Sequence, residues 1–418
     1  MKRISIATLA AALVLLSGCN KDRNTIEVPI VPQEDFVRIE LGGSNSLNNT
    51  TRASLENLDD INRDSIGRIG IFCLAGRKTH ISGSSEAKDI DWANIVPTDL
   101  ESYGENTNGT YWNNVRCRVE GEAPNYRLVP DENQEYYWYY PNTSWYGYDF
   151  YGYYPYQYQE GRQFISSNMV TVDLDIDGRQ DVIWGYSVDP TAAIFEEVED
   201  QSVCNKLVES YYSARYFRFA PENWTAAHMK FKHMLTQFRF HVYPAANKES
   251  NPEKKYDTAT ALKVTELRLE DEVCNLQMVV ADRSGLQQGT VYSRDGYTRD
   301  FYLHYADGTL LKDSAVAIKT QLDTINDVVI PDTVEMGECI MALAGDTLYH
   351  LSVQLQDTVT TYSSEKRIAI RRANGAPFEA GKIYHVYLQV AGVTRIGVTA
   401  EMEDWNDTGE QVGDFELQ

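Results

Sequence analysis

Apolar and polar residues alternate with a period of two along most of this 418-residue chain, and a helical period is rare. In segment 36–41, Val37, Ile39 and Leu41 fall on one side and Arg38 and Glu40 on the other, the pattern of a half-buried strand. Strand-like runs recur at 66–74, 126–129, 148–158, 169–176, 181–187, 230–243, 262–269, 274–280, 301–305, 328–330, 338–343, 347–355, 368–372 and 383–390. Only 191–199 and 203–212 suggest short helices. Near the C-terminus, Tyr384, Val386, Leu388 and Val390 form one apolar stripe, and Ala391-Gly392 turns the chain. Ile396, Val398, Ala400 and Met402 then form the next inward stripe up to Trp405, which predicts a terminal hairpin. A tail follows from Asn406, with Phe415 and Leu417 alternating. Many short strands divided by turn residues predict an all-β fold of β-sandwiches, and the length predicts two. The boundary is expected near 228, between the irregular segment 213–228 and a long strand pair at 230–243, giving domains 34–228 and 229–418.

The N-terminus adds an address. Lys2 and Arg3 precede an apolar run, 4–15, too short to span a bilayer, and small residues then lead to Cys19 in Leu16-Ser17-Gly18-Cys19. This predicts a signal peptide over 1–18 and lipidation of Cys19, where more than one acyl chain gives stable membrane attachment. The polar stretch after it, with Pro29 and Pro32, reads as a flexible tether; the lipidated tether is 19–33. Fully extended, it reaches roughly 45 Å at ~3.3 Å per residue. A polar loop, 42–51, separates the first strand from Arg52 and Ala53.

Charge and cysteines narrow the function. The chain has 38 Lys and Arg against 61 Asp and Glu; the segment 1–52 takes six basic and five acidic residues, so the remainder holds 32 against 56 and carries −24. Such a surface repels phosphate backbones, so no nucleic-acid partner is expected. Beyond Cys19 stand Cys73, Cys117, Cys204, Cys274 and Cys339, an odd number without close pairs and without a metal or redox dithiol motif. An oxidising envelope compartment permits one or two disulfides, while Cys73, inside the apolar run 69–74, reads as a buried thiol.

Two motifs invite chemistry. Eleven tyrosines with Trp138, Trp145 and Phe150 crowd residues 136–158. Exposed rings, Tyr140, Trp145, Tyr151 and Tyr154 among them, suit stacking on sugars or on a partner protein; the alternative is a packed sandwich face with a polar rim. Alternation hides only half of such a run in one core, so some rings should remain exposed. Asp173-Leu174-Asp175-Ile176-Asp177-Gly178 matches the opening of a calcium loop with Asp181 ninth, but Trp184 stands where a bidentate glutamate is needed. Val170, Val172, Leu174 and Ile176 alternate with Thr171 and the aspartates, so a strand with an acidic outer face is expected and no metal site. The seven histidines show no HExxH spacing, and no nucleophile elbow, P-loop or dinucleotide fingerprint occurs. A non-enzymatic protein without cofactors is expected.

Together the lipobox, the strand 36–41 followed by Arg52-Ala53, the run Ile66-Gly67-Arg68-Ile69-Gly70-Ile71-Phe72, Tyr153-Tyr154-Pro155-Tyr156, Asp181-Val182-Ile183-Trp184-Gly185-Tyr186-Ser187, Phe231-Lys232-His233 and Phe378-Glu379-Ala380-Gly381-Lys382-Ile383-Tyr384 leading to Trp405 resemble the fimbrillin (Mfa-like) family, the type V pilins of Bacteroides-type bacteria. The resemblance implies two tandem transthyretin-like β-sandwich domains, export to the outer membrane and cell surface as a lipoprotein, and proteolysis after a loop arginine, here Arg52 with Ala53 as the new N-terminus. Removal of Val37, Ile39 and Leu41 would then leave a groove for another pilin subunit's strand by β-augmentation. The donor candidates are the stripe Ile396, Val398, Ala400 and Met402 and the tail residues Phe415 and Leu417. Asp-Ser/Thr-apolar triplets such as Asp332-Thr333-Val334 look like O-glycosylation acceptors of such envelope proteins. The competing readings are a glycan-binding surface lipoprotein or pilus-tip adhesin that meets a host glycan or protein receptor through 136–158, and a lipid-anchored hydrolase.

Overall fold

The computed structural model describes residues 41–43, 68–76, 79–80, 87–88, 90–94, 109–120, 126–131, 147–157, 159, 161–187, 212, 227–246, 261–318, 320–322, 329–331, 333–357, 360–363, 367–391 and 396–404. In the N-terminal half the strands are β1 (Leu41–Gly43), β2 (Ile69–Ala75), β3 (Thr79–His80), β4 (Ala87–Lys88), β5 (Thr110–Glu120), β6 (Tyr126–Pro130), β7 (Tyr148–Tyr154), β8 (Gln163–Ile165), β9 (Met169–Asp175), β10 (Ile183–Ser187) and β11 (Ala227–His233). The C-terminal half continues with β12 (Leu235–Pro244), β13 (Lys263–Val273), β14 (Asn275–Asp282), β15 (Val291–Ser293), β16 (Thr298–Tyr302), β17 (Val316–Ala317), β18 (Thr320–Leu322), β19 (Val329–Pro331), β20 (Val334–Leu343), β21 (Tyr349–Gln356), β22 (Thr361–Ser363), β23 (Ile368–Ile370), β24 (Lys382–Val390) and β25 (Ile396–Asp404). The expected all-β class is the class observed; a single 3-10 turn, Leu311–Asp313, is the one helical element among the described residues. Of the two expected short helices only Tyr212 is described, and its φ of 51° is not helical.

The first large sheet closes into a barrel in the order β1-β11-β10-β7-β2-β5-β6, with β6 returning to β1. Its interior is shaped by one cross-strand row, Val115, Ile71, Gly152, Gly185 and Phe231. A Cβ on Gly185 would stand 2.4 Å from the Phe231 ring, so the bare glycine makes the space that the ring fills. The outer face of β2 is buried too. All seven residues of β2 are buried, because Ile69, Ile71 and Cys73 take one face while Phe72 and Leu74 join a core cluster on the other. A strand covered on both faces reads as a continuous apolar run, as 69–74 does.

What covers that outer face is a four-stranded sheet, β15-β14-β9-β8, built from both halves of the chain. β9 and β14 pair antiparallel from Asn275 opposite Asp175 to Asp282 opposite Met169. Val170, Val172 and Leu174 on β9 and Leu276 and Met278 on β14 meet Phe72, Tyr151 and Trp184 of the barrel. Two buried tryptophans anchor the contact. Trp184 donates its indole N–H to the Val280 carbonyl at 2.8 Å. Trp92 donates to the Ala75 carbonyl at 2.9 Å, and the Arg283 guanidinium lies 4.4 Å from its ring.

The rest of the C-terminal half is a sandwich. The sheet β20-β12-β24-β25 faces a six-stranded sheet, β16-β13-β21-β22 with β17 on β13 and β23 on β21. Phe238 sits at its centre, edge-on to Tyr349 at 4.8 Å and to Phe378 at 5.3 Å. The expected terminal hairpin is present: β24 and β25 pair from Lys382 opposite Asp404 to Val390 opposite Ile396.

Several expectations need correcting. The expected boundary near 228 falls inside β11, and the change of sheet comes at Met234; β11 pairs in the barrel while β12 pairs with β20 and β24, so 230–243 is not a strand pair. Because β8 and β9 share a sheet with β14 and β15, the two halves are joined rather than standing as separate sandwiches. The first strand runs on through Gly42 and Gly43, which were expected to open the loop. β5 was not expected at all: Asn113-Asn114 breaks its alternation, and Asn114 sits at φ 52° where the register against β2 shifts. Cys73, Cys117, Cys274 and Cys339 are free thiols, and burial pushes the Cys73 and Cys117 thiols well above their ordinary range.

One bulge places a carboxyl in the core. Asp271, at φ 60°, adds a residue to β13 between Leu269 and Glu272, which turns Glu272 inward. Glu272 is 7% exposed. Burial, with Asp346, Asp271 and Asp300 adding repulsion, pushes its pKa from 4.5 up to about 8. The folded state therefore holds a proton that the unfolded state releases, so stability falls as pH rises from about 4.5 to about 8. Each pH unit in that window costs up to about 1.4 kcal/mol. Glu272→Gln should flatten this part of the profile and exceed wild type in stability above pH 8, read by urea denaturation between pH 5 and 9.

Candidate functional site

The closure of the barrel rests on its shortest and first strand. β1 lies antiparallel to β6 on one side and parallel to β11 on the other. Leu41 faces Leu128 and Ala227, and Leu128 faces Val119, so these four side chains form one row across the seam. Leu41 is 2% exposed, and the other three are buried with it. Without β1, the ring becomes an open sheet whose edges are β6 and β11, each with a row of unpaired backbone N–H and C=O groups. Among the described residues β1 is the first element of the chain, and a cut anywhere in 44–67 separates it from the barrel without severing another described strand.

Beside the seam, Asp131 follows β6 and is pinned by two arginines, Arg116 and Arg68, the latter at 3.2 Å. The Arg68 carbonyl also accepts the Tyr156 N–H at 3.0 Å. Of the arginines near the expected cleavage point, Arg68 is thus fixed at the start of β2. Arg52, Ala53, Arg63 and Cys19 lie outside the described residues, as do Val37 and Ile39.

The two donor candidates differ in what the structure does with them. Val398 and Ala400 are 8% and 1% exposed, and Ile396 and Met402 pack partly buried against the same core. β25 is therefore held in its own sheet, at the edge beside β24. Phe415 and Leu417 lie outside the described residues.

The aromatic segment divides. Tyr140 and Trp145 lie outside the described residues, Tyr154 is half-buried, and Tyr151 is buried against the core cluster. Tyr151 is thus corrected from a stacking candidate to a packing residue, because the sheet β15-β14-β9-β8 covers the face on which sequence alternation placed it. Tyr153, beside it, has its hydroxyl on Asn114 at 2.8 Å, and burial pushes its pKa above the ordinary range. The aspartates of 173–181 each have a different partner: Asp173 accepts from Gln277 and Arg294, Asp175 from Arg162, Asp177 from Arg179, and Asp181 meets His233. Among the described residues, no group of three or more His, Cys, Asp or Glu side chains is placed to hold a metal ion. No described helix is long and apolar enough to cross a membrane.

The rims of the seam were not singled out from the sequence. Leu128 and Ala227 carry no motif, and only their pairing with Leu41 gives them a role.

The class defined by this geometry is an all-β protein with a closed barrel, sealed by its N-terminal strand and joined to a C-terminal sandwich. No protein-family model and no curated protein matches the chain. Among solved structures, it is similar to a protein assigned to cell adhesion from Bacteroides uniformis, with 14% identity, a TM-score of 0.44, and 89% of this chain and 100% of that chain covered. It is also similar to the fimbrial anchor protein Mfa2 from Porphyromonas gingivalis, with 9% identity, a TM-score of 0.29, and 88% of this chain and 96% of that chain covered. The tip fimbrial protein Mfa3 of the same organism, with a C-terminal truncation, gives 8% identity, a TM-score of 0.30, and coverage of 88% and 100%.

Leu41→Ala should destabilise the uncut protein by about 2 to 4 kcal/mol, the cost of a cavity at a fully buried leucine. Denaturation in urea measures this directly, and a loss below about 0.5 kcal/mol would mean that the seam does not depend on Leu41.

Proposed function

We propose that the chain is a structural subunit of a pilus, exported as an outer-membrane lipoprotein through Cys19 and assembled by strand exchange at the β1 seam after cleavage behind Arg52. The observation that carries this reading is the position of β1: it closes the barrel, yet it is the first described strand and is joined to the rest only through 44–67. A cut after Arg52 turns a covalent part of the fold into a bound peptide. Leu41 then holds it by burial, at about 1.5 to 3 kcal/mol as an upper bound, besides the ladder hydrogen bonds, and Val37 and Ile39 continue its apolar stripe in the sequence. A strand from another subunit with a similar apolar stripe can replace it, pairing with β6 and β11. The ion pairs of Arg68 with Asp131 favour Arg52 over Arg68 as the processing point, since a protease needs an extended, accessible backbone.

We assign donation to the tail 406–418, with Phe415 and Leu417 as its apolar residues, rather than to β25. Releasing β25 would break its whole ladder with β24 and expose Val398 and Ala400.

Mild trypsin treatment of the purified precursor should cleave after Arg52 and yield a ladder of oligomers on native gels and fibres by electron microscopy. Arg52→Ala should block both, and deletion of 406–418 should permit cleavage but leave monomers. Efficient cleavage of the full-length chain that leaves only monomers would sink the strand-exchange reading, and oligomers from the tail deletion would move donation to β25.

A further inference from the structure

We propose that the outer face of the sheet β15-β14-β9-β8 binds a neutral oligosaccharide, with Tyr292 and Phe164 as the two stacking platforms. The alternation of β9 fixes which side chains share this face. Val170, Val172 and Leu174 are turned into the core, so Thr171, Asp173 and Asp175 look the other way. Phe164 is opposite Thr171, and Tyr292 is opposite Gln277, which is itself opposite Asp173. Phe164 is 49% exposed and Tyr292 42%, although their strand neighbours Ile165 and Val291 pack into the core. The two rings stand on the outermost strands, three inter-strand steps apart and two residues out of line along the strands, or roughly 16 Å in all. That distance suits a short chain of sugars rather than one ring.

The orientation of Tyr292 matters. Its hydroxyl donates to the Gln277 side chain on the neighbouring strand, which ties the ring to the sheet although the residue stays exposed. Between the platforms, polar groups are held in place. Arg162 donates to both oxygens of Asp175, at 3.0 and 2.8 Å. Gln277 donates to Asp173 at 2.8 Å, and Arg294 reaches the other oxygen of Asp173 at 3.2 Å. Asp173, 6% exposed, fixes Gln277 and Arg294 from below, while the exposed Asp175 carboxylate keeps spare lone pairs and the two guanidiniums keep spare N–H groups, the acceptors and donors that sugar hydroxyls need. Because their rotamers are already locked, binding pays little side-chain entropy.

Charge selects the occupant. Arg162 and Arg294 are matched by Asp173, Asp175 and Asp295, which leaves no cationic excess to attract phosphate, sulfate or nucleic acid. The apolar area is divided into two separate rings rather than one patch, which does not suit a protein interface with a dry centre. A polar, neutral ligand with apolar ring faces fits both facts.

The test uses the intact precursor, so it does not depend on cleavage at Arg52. Soluble tetrasaccharides of glucose, xylose, mannose, galactose or N-acetylglucosamine are titrated by ligand-observed NMR and calorimetry. At least one should bind, and Tyr292→Ala and Phe164→Ala should each weaken it tenfold or more with unchanged melting temperature. Tyr302→Ala, an exposed ring on β16 of another sheet, should leave affinity within twofold. A panel without a binder overturns the proposal, and so does binding that survives the Tyr292→Ala/Phe164→Ala double variant, which would place it elsewhere.

Discussion

The pairing of β9 with β14 is the interaction on which the rest of the architecture depends. It joins a strand from each half of the chain, and the sheet it nucleates buries the outer face of β2 and β7. A barrel strand wetted on one side would need alternating polar residues there; β2 has none, because both of its faces are dry. The pairing also spans about a hundred residues of sequence, so its loop-closure entropy is substantial and the two halves should fold cooperatively rather than in succession. Trp184 and Trp92 sit at this contact with their indole N–H groups satisfied, which lets large rings enter the interface without an orphaned donor.

The seam strand is held by different means. It contributes Leu41 to the inner row and backbone hydrogen bonds to two neighbours, and it has no ring or ion pair comparable to the tryptophan anchors among its described residues. The strongest polar fixture nearby, Asp131 with Arg68 and Arg116, ties the end of β6 to the middle of β5 and the start of β2, and not to β1. The β6 rim of the slot is thus held by groups other than the strand that fills it. That arrangement suits a replaceable strand: the neighbours keep their places, and only the edge groups of β6 and β11 and the apolar row change partner.

The period of two made most strands readable, since it reports burial on one face. It failed where burial did not alternate. Asn113-Asn114 hides β5 because a bulge at Asn114 resets the phase, and β13 runs past its expected end at Leu269 because the bulge at Asp271 resets the phase and turns Glu272 inward. The aromatic run 148–154 was ambiguous for a related reason. Alternation says that Tyr151 and Tyr153 share a face but not what covers it, and the cover comes from β14, far along the chain. The terminal hairpin was legible because both of its stripes are local: Tyr384, Val386, Leu388 and Val390 lie opposite Met402, Ala400, Val398 and Ile396. The seam was half legible: Leu41 stood out in its own pattern, whereas its partners Leu128 and Ala227 are chosen by the barrel's closure, a non-local fact.

Assembly and ligand binding make opposite demands on a surface protein, since one requires a strand to leave and the other requires side chains to stay fixed. The barrel order separates them. In the ring β1-β11-β10-β7-β2-β5-β6, the strands β7 and β2 are the farthest from β1 by either route. Those are the strands whose outer residues, Tyr151, Tyr153, Phe72 and Leu74, pack against the sheet carrying β9 and β14. Opening the seam changes the edges of β6 and β11 but leaves that contact intact. The platforms Tyr292 and Phe164 stand on the far side of the same sheet, one layer further from the barrel. A strand exchanged at the seam, as proposed, would enter on the side of the barrel opposite the fixed polar network and would leave that network in place.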